Sequence, residues 1–170
     1  GNSNDPNKLY LNEKGVLKEN SSWTSADSDD TQSVVWGDID HDGDLDLIAG
    51  NRYGATKIYY NQNGELQSLS TQILNDGGSD RVALGDIDGD GDLDIVAVQF
   101  NAPLRVYVNE GGQFGNTTID AEIMGHELAL GDVDGNGTLD LALSDLGDPD
   151  KIYLNTTKLF QPQESWTDLE

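Results

Sequence analysis

Cysteine is absent from the 170-residue chain. That excludes a disulfide framework, thiol nucleophiles and zinc–thiolate sites. Cations are scarce: 9 Lys and Arg stand against 32 Asp and Glu, for a formal net charge of −23. A surface of that sign repels phosphates, so nucleic acid is excluded as a partner, and so is an anionic membrane face. Apolar runs are short. None approaches the roughly 18 residues a membrane span needs, so no membrane insertion is expected. No secretory-leader pattern opens the chain. The leading Gly and the closing Leu-Glu read as the edges of a piece cut from something longer. Histidine is limited to His41 and His126, and neither has a nucleophile at a recognisable spacing. No enzymatic activity is expected.

What the chain has in excess is aspartate, and it is clustered. The stretches GDIDHDGDLD (37–46), GDIDGDGDLD (85–94) and GDVDGNGTLD (131–140) hold 13 of the 32 acidic residues. Like charges this close repel, and acidity serving only solubility would be spread out. The loops begin at Asp38, Asp86 and Asp132, spacings of 48 and 46 residues. A second marker, Lys/Arg-x-Tyr-x-Asn, recurs as KLYLN at Lys8, KIYYN at Lys57, RVYVN at Arg105 and KIYLN at Lys151, at spacings of 49, 48 and 46. Two independent markers keeping one period define a tandem repeat.

Each repeat reads as β. Apolar runs precede the loops (Val34–Trp36, Val82–Leu84, Leu128–Leu130), and others follow them from Leu47, Ile95 and Leu141. They are continuous rather than alternating, which predicts strands covered on both faces. The Tyr-Asn marker alternates and predicts a third strand with one less buried face. A weaker fourth strand is expected around Trp23, Ile73, Ile119 and Trp166, and turn signals such as NQNG at Asn61 and NEGG at Asn109 punctuate the runs. Four short antiparallel strands per repeat predict an all-β chain of β-propeller blades. The expected units are residues 1–24 as the outer half of a blade (its third and fourth strands), then whole blades over 25–74, 75–120 and 121–170. That is about three and a half blades. Such an arc is expected to be part of a larger ring, or to associate as a homo-oligomer that completes one. The three tryptophans are expected in the core.

The loops read position by position as a ligand set. Positions 1, 3, 5 and 9 always carry oxygen: Asp38, Asp40, Asp42 and Asp46; Asp86, Asp88, Asp90 and Asp94; Asp132, Asp134, Asn136 and Asp140. Position 6 is always glycine, where a sharp turn needs a residue without a Cβ. Position 7 drifts (Asp44, Asp92, Thr138), as expected of a residue contributing its backbone carbonyl. Alternate oxygens converging around a glycine turn wrap a hard cation, and a set this acidic favours Ca²⁺, which takes about 6–8 oxygens in flexible geometry. Three Ca²⁺ sites are expected, structural in role. The first six positions match an EF-hand loop, but the acid at position 9 instead of a Glu at 12, with β runs on both sides, departs from it. His41 lies at a non-ligand position.

The apolar run, the D-x-D-x-D-G-x-x-D loop, the second apolar run and the K-I-Y-L-N strand together resemble the FG-GAP and VCBS repeats. These form the propeller blades of integrin α-subunits and of many secreted proteins. The resemblance covers nearly the whole chain and implies one Ca²⁺ in the loop between the first and second strands of each blade. It departs mildly in placing Trp36, Leu84 and Leu130 before the loop glycine. The function expected is a non-catalytic, extracellular or cell-surface module for protein or glycan recognition and adhesion. The alternative is a scaffold or accessory domain of a secreted polysaccharide-acting enzyme. Candidate contact residues are Arg52, Tyr53, Phe100 and Asn101, in loops at the end opposite the acidic ones. Of the sequons at Asn20, Asn116 and Asn155, the last falls within a strand and reads as chance.

Overall fold

The structure is a computed structural model and describes residues 2–70, 72–74, 77–123, 125–145, 149–156 and 160–162. Trp166 lies outside them, so its expected place in a fourth strand is not described. Among the described residues there is no helix.

The chain opens with β1 (Asp5–Leu9), β2 (Asn12–Glu13), β3 (Val16–Leu17) and β4 (Trp23–Asp29). β1 pairs with β4, and β2 with β3. A four-stranded antiparallel sheet follows: β5 (Thr31–Gly37), β6 (Asp46–Asn51), β7 (Thr56–Tyr59) and, after the small hairpin of β8 (Asn61–Gln62) and β9 (Glu65–Leu66), β10 (Gln72–Leu74). The second sheet holds β11 (Arg81–Gly85), β12 (Asp94–Val98), β13 (Ala102–Glu110) and β14 (Gln113–Ile123), and the third β15 (Gly125–Gly131), β16 (Asp140–Asp145), β17 (Lys151–Asn155) and β18 (Phe160–Pro162). In each sheet the strands lie side by side in chain order, and none closes on itself.

Local chemistry sets these hairpins. Lys14-Gly15, Asn63-Gly64 and Gly111-Gly112 all have positive φ. Two such residues in a row make the tight turn whose twist matches paired strands. The residue five places after the marker Asn then faces it across the hairpin: Leu17 faces Asn12, Leu66 faces Asn61, Phe114 faces Asn109 and Phe160 faces Asn155. The fourth strand thus begins nearer the marker than Trp23, Ile73 and Ile119 suggest. Those three pair with Leu9, Lys57 and Leu104, a drifting register.

β6 and β12 are buried along their whole length. Their side chains alternate between two neighbours. On β12, Ile95 and Ala97 join a cluster with Ile39, Ile48, Ile58 and Leu74 of the preceding sheet, while Val96 and Val98 join Leu141, Leu143, Tyr153 and Phe160 of the following one. On β6, Leu47 and Ala49 pack with Trp23 and Leu66. An apolar run therefore serves as strand and as both walls of two cores. First strands behave differently from the expectation. Val34 and Trp36 on β5 are 55% and 42% exposed. A groove of ≈ 580 Å³ separates them from β1, because the sheet of β1 and β4 supplies no inner strands to cover them. Trp36 is thus not a core residue, whereas Trp23 packs edge-on against Tyr59, with ring centroids 5.4 Å apart.

Adjacent sheets meet through glycine. A Cβ built on Gly37 would lie 2.5 Å from Leu84 Cδ1 and 2.9 Å from Leu93 Cδ1, and one on Gly85 would lie 2.6 Å from Leu139 Cδ1 and 3.0 Å from Leu130 Cδ1. Gly131 has nothing within 4 Å. Polar ties add to this: Lys57 Nζ donates to Asp29 Oδ2 across 2.7 Å, joining the first four-stranded sheet to β4.

Candidate metal centres

The three acidic loops join β5 to β6, β11 to β12 and β15 to β16. Each is closed by the same strand pair, Gly37 with Asp46, Gly85 with Asp94 and Gly131 with Asp140. Inside it, side-chain oxygens cap backbone N–H groups two to five residues on, which is the local habit of Asp and Asn. The Asp at position 1 accepts from the position-6 glycine: Gly43 to Asp38 (3.1 Å), Gly91 to Asp86 (3.1 Å) and Gly137 to Asp132 (3.0 Å). Position 3 accepts from position 5, and position 5 from position 7, in every loop. Positions 4 and 6 both have positive φ; His41 takes position 4 at 59°, where the other loops have Gly89 and Gly135. The resulting curl brings ligand atoms of Asp38, Asp40 and Asp42, of Asp86, Asp88 and Asp90, and of Asp132, Asp134 and Asp140 within 4.8 Å of one another.

Position 9 does a different job from the rest. Asp46, Asp94 and Asp140 are fully buried, and both oxygens of each accept backbone N–H bonds. One comes from loop position 2: Ile39 (3.0 Å), Ile87 (2.7 Å) and Val133 (2.9 Å). The other comes from the marker Asn: Asn61 (2.7 Å), Asn109 (2.8 Å) and Asn155 (2.8 Å). Position 9 thus pins its loop to the third strand or, in the first loop, to β8 just beyond it. Burial pushes the Asp46 and Asp94 carboxyls up; the N–H bonds pull them down, the nearby Asp40, Asp42, Asp88 and Asp90 push them up again, and they end above the ordinary range.

Position 7 is not idle either. Asp44 Oδ2 accepts from Gly64 N–H (3.2 Å) and Asp92 Oδ2 from Gly111 N–H (2.7 Å), while the Thr138 hydroxyl donates to the Asn155 carbonyl. Its side chain fastens the loop to the third strand or its tight turn. His41 Nδ1 lies 3.1 Å from Asp92 Oδ1, touching the neighbouring loop. In the third loop Asn136 Oδ1 accepts from Thr138, and its Nδ2 donates to Asp134 Oδ2 (3.1 Å). The marker asparagines were residues of the site that the repeat pattern displayed without assigning them work. Asn155 is fully buried, which leaves no room for a glycan.

These residues fit a cation. The donor set is all oxygen, and each triad gathers carboxylates whose mutual repulsion a positive ion relieves. One oxygen, Asp38 Oδ1, is buried without a hydrogen-bond partner. Such a group costs free energy unless something binds it.

At the opposite end, Asp80 draws two loops together: Arg52 Nε donates to Oδ1 (2.8 Å) and Phe100 N–H to Oδ2 (2.9 Å). Burial alone would push the Asp80 carboxyl up, but these two bonds and the charges of Arg52 and Arg81 outweigh it and hold it below the ordinary range. Tyr53 stands free beside them, 82% exposed.

Fold and loops together define a tandem-repeat all-β protein whose every full repeat carries one acidic loop. The chain belongs to the FG-GAP-like repeat family, whose model matches three tandem stretches, residues 1–49, 40–97 and 86–143. No curated protein matches it.

Proposed function

We propose that the chain is a calcium-binding β-propeller module, each four-stranded sheet a blade and the β1–β4 pair the outer half of another. The observation that carries this is the triplicated carboxylate triad on one hydrogen-bonded frame, with the Asp38 oxygen left without a partner. The side chains at positions 1, 3, 5 and 9 and the carbonyls of Asp44, Asp92 and Thr138 would hold the ion. Ca²⁺ would supply charge: three ions relieve six of the chain's 23 net negative charges. The chain's own groups do the rest. Position 1 curls the loop, position 9 pins it, and position 7 ties it to the outer strands.

The module's role is recognition outside the cell or at its surface, with a protein or glycan as ligand and no catalysis. Supporting this is the loop cluster around Asp80, which presents Tyr53 and Phe100, an arrangement suited to stacking or capping contacts. Thermal unfolding tests the metal: saturating Ca²⁺ is expected to raise the midpoint over EDTA, because the ion binds only the folded loops. Equal midpoints would remove the reading. A glycan array probed with the chain and with its Tyr53→Ala variant tests the surface.

A further inference from the structure

We propose that Asn109 and Asn155 are positioning residues that couple neighbouring loops, so that Ca²⁺ in one loop raises the affinity of the next. This rests on the calcium reading above. Asn109, at the end of the marker on β13, is fully buried, and its Oδ1 accepts from the Gly112 N–H of its own tight turn (2.7 Å). Its N–H donates to Asp94 Oδ1 of the second loop (2.8 Å). Its Nδ2 donates to the Ile39 carbonyl of the first loop (2.9 Å) and to the Leu93 carbonyl of the second (3.2 Å). Asn155 repeats the arrangement one sheet on, with its N–H on Asp140 Oδ1 (2.8 Å) and its Nδ2 on the Ile87 carbonyl (2.6 Å).

The acceptors are well placed for coupling. Ile39 and Ile87 occupy loop position 2, between the candidate ligands at positions 1 and 3. Their side chains are plugs, buried in the apolar cluster that each sheet shares with the next. An ion gripping positions 1 and 3 fixes the peptide between them, and with it the carbonyl that holds Asn109. Asn109 in turn holds Asp94, which pins the second loop. Part of the ordering cost of the second loop is thereby met when the first is filled, and the effect is reciprocal. Asn61 is the internal contrast. Its N–H donates to Asp46 Oδ1 (2.7 Å) like the others, but its Nδ2 reaches only Leu45 O of its own loop (3.2 Å).

The test is calcium titration of the full chain by calorimetry, with the third loop silenced throughout by Asp132→Ala. Silencing the first loop by Asp38→Ala is expected to weaken the second on the order of 5-fold or more, the usual span of a coupling. In an Asn109→Leu background, which keeps the branched outline and the backbone N–H but removes both Nδ2 bonds and the Gly112 bond to Oδ1, the same silencing is expected to change nothing. In an Asn61→Leu background the coupling is expected to survive. Should Asn109→Leu fail to fold, the native Asn109 can be watched directly: with the second loop silenced by Asp88→Ala, its side-chain amide NMR signals must move as Ca²⁺ fills the first loop. Still signals, or loops that bind Ca²⁺ with affinities indifferent to their neighbours, overturn the coupling and leave the calcium reading standing. No calcium binding at all removes both.

Discussion

Replacing Asp94 by Ala is expected to destabilise the chain before any metal is added. Asp94 is fully buried, and its two oxygens satisfy the Ile87 and Asn109 N–H groups at 2.7 and 2.8 Å. Hydrogen bonds to a charged group contribute roughly 1.5–3 kcal/mol each, so losing both costs about 3–6 kcal/mol. Part of this is offset, because the substitution also removes a buried charge repelled by Asp88 and Asp90. A net loss of about 2–4 kcal/mol follows, which for a chain of this length lowers the thermal midpoint by roughly 4–16 °C. Asp92→Ala is the control. Asp92 is half-buried and gives up a bond from Gly111 and a contact with His41, with an expected cost of about 1 kcal/mol or less. The assay is far-UV circular dichroism against temperature in EDTA, then in Ca²⁺. In Ca²⁺, Asp92→Ala is expected to keep metal in the second loop and Asp94→Ala to lose it. Equal midpoints for the two variants in EDTA would refute the argument that position 9 is a structural pin as well as a ligand.

Other substitutions separate the buried repeats from the exposed one. Gly85→Ala pushes a methyl against Leu139 and Leu130 and is expected to cost about 1–2 kcal/mol in urea unfolding, while Gly131→Ala, facing open space, is expected to be neutral. Ile87→Ala opens a cavity in a shared core and is expected to cost about 2–4 kcal/mol, against almost nothing for the 59% exposed Val133, and a similar cost for both would show that the plug description is wrong. Asp80 gives a pH dependence. Its carboxyl is held low in the fold, so its stabilisation is complete above the ordinary carboxylate pKa of about 4 and drains away as pH falls through the folded value. Arg52→Gln is therefore expected to lower the midpoint at pH 5 to 7, with the gap to the native chain closing towards pH 3; a gap independent of pH would place the effect elsewhere.

The sequence displayed what repeats, and less of what touches what. The runs at Leu47 and Ile95 read correctly as strands covered on both faces, since alternating sides of β6 and β12 feed two cores. The runs before the loops look the same in sequence, yet Trp36 and Val34 are exposed, because burial of a first strand depends on the sheet that precedes it. The loop glycine at position 6 was legible. The need for positive φ at position 4 was masked, since His41 fills a place that two glycines fill elsewhere. Position 7 looked free because its residue type drifts, but Asp44, Asp92 and Thr138 reach the third strand or its turn through different bonds. The marker asparagine was visible as a period of 46 to 49 residues, while its partner Ile39 lies 70 residues from Asn109, beyond any local pattern.

Among the described residues, each apolar cluster is shared by consecutive sheets and by no others. The protein has seams where most domains have a centre. Damage to one seam stays between the two sheets that share it, and hydrogen exchange can open one joint while the next stays shut. It also means that length is negotiable in whole repeats. Adding or deleting a full repeat recreates every glycine, plug and asparagine contact at the new junction, whereas a few residues inserted within a strand shift the alternation and turn both of its walls the wrong way.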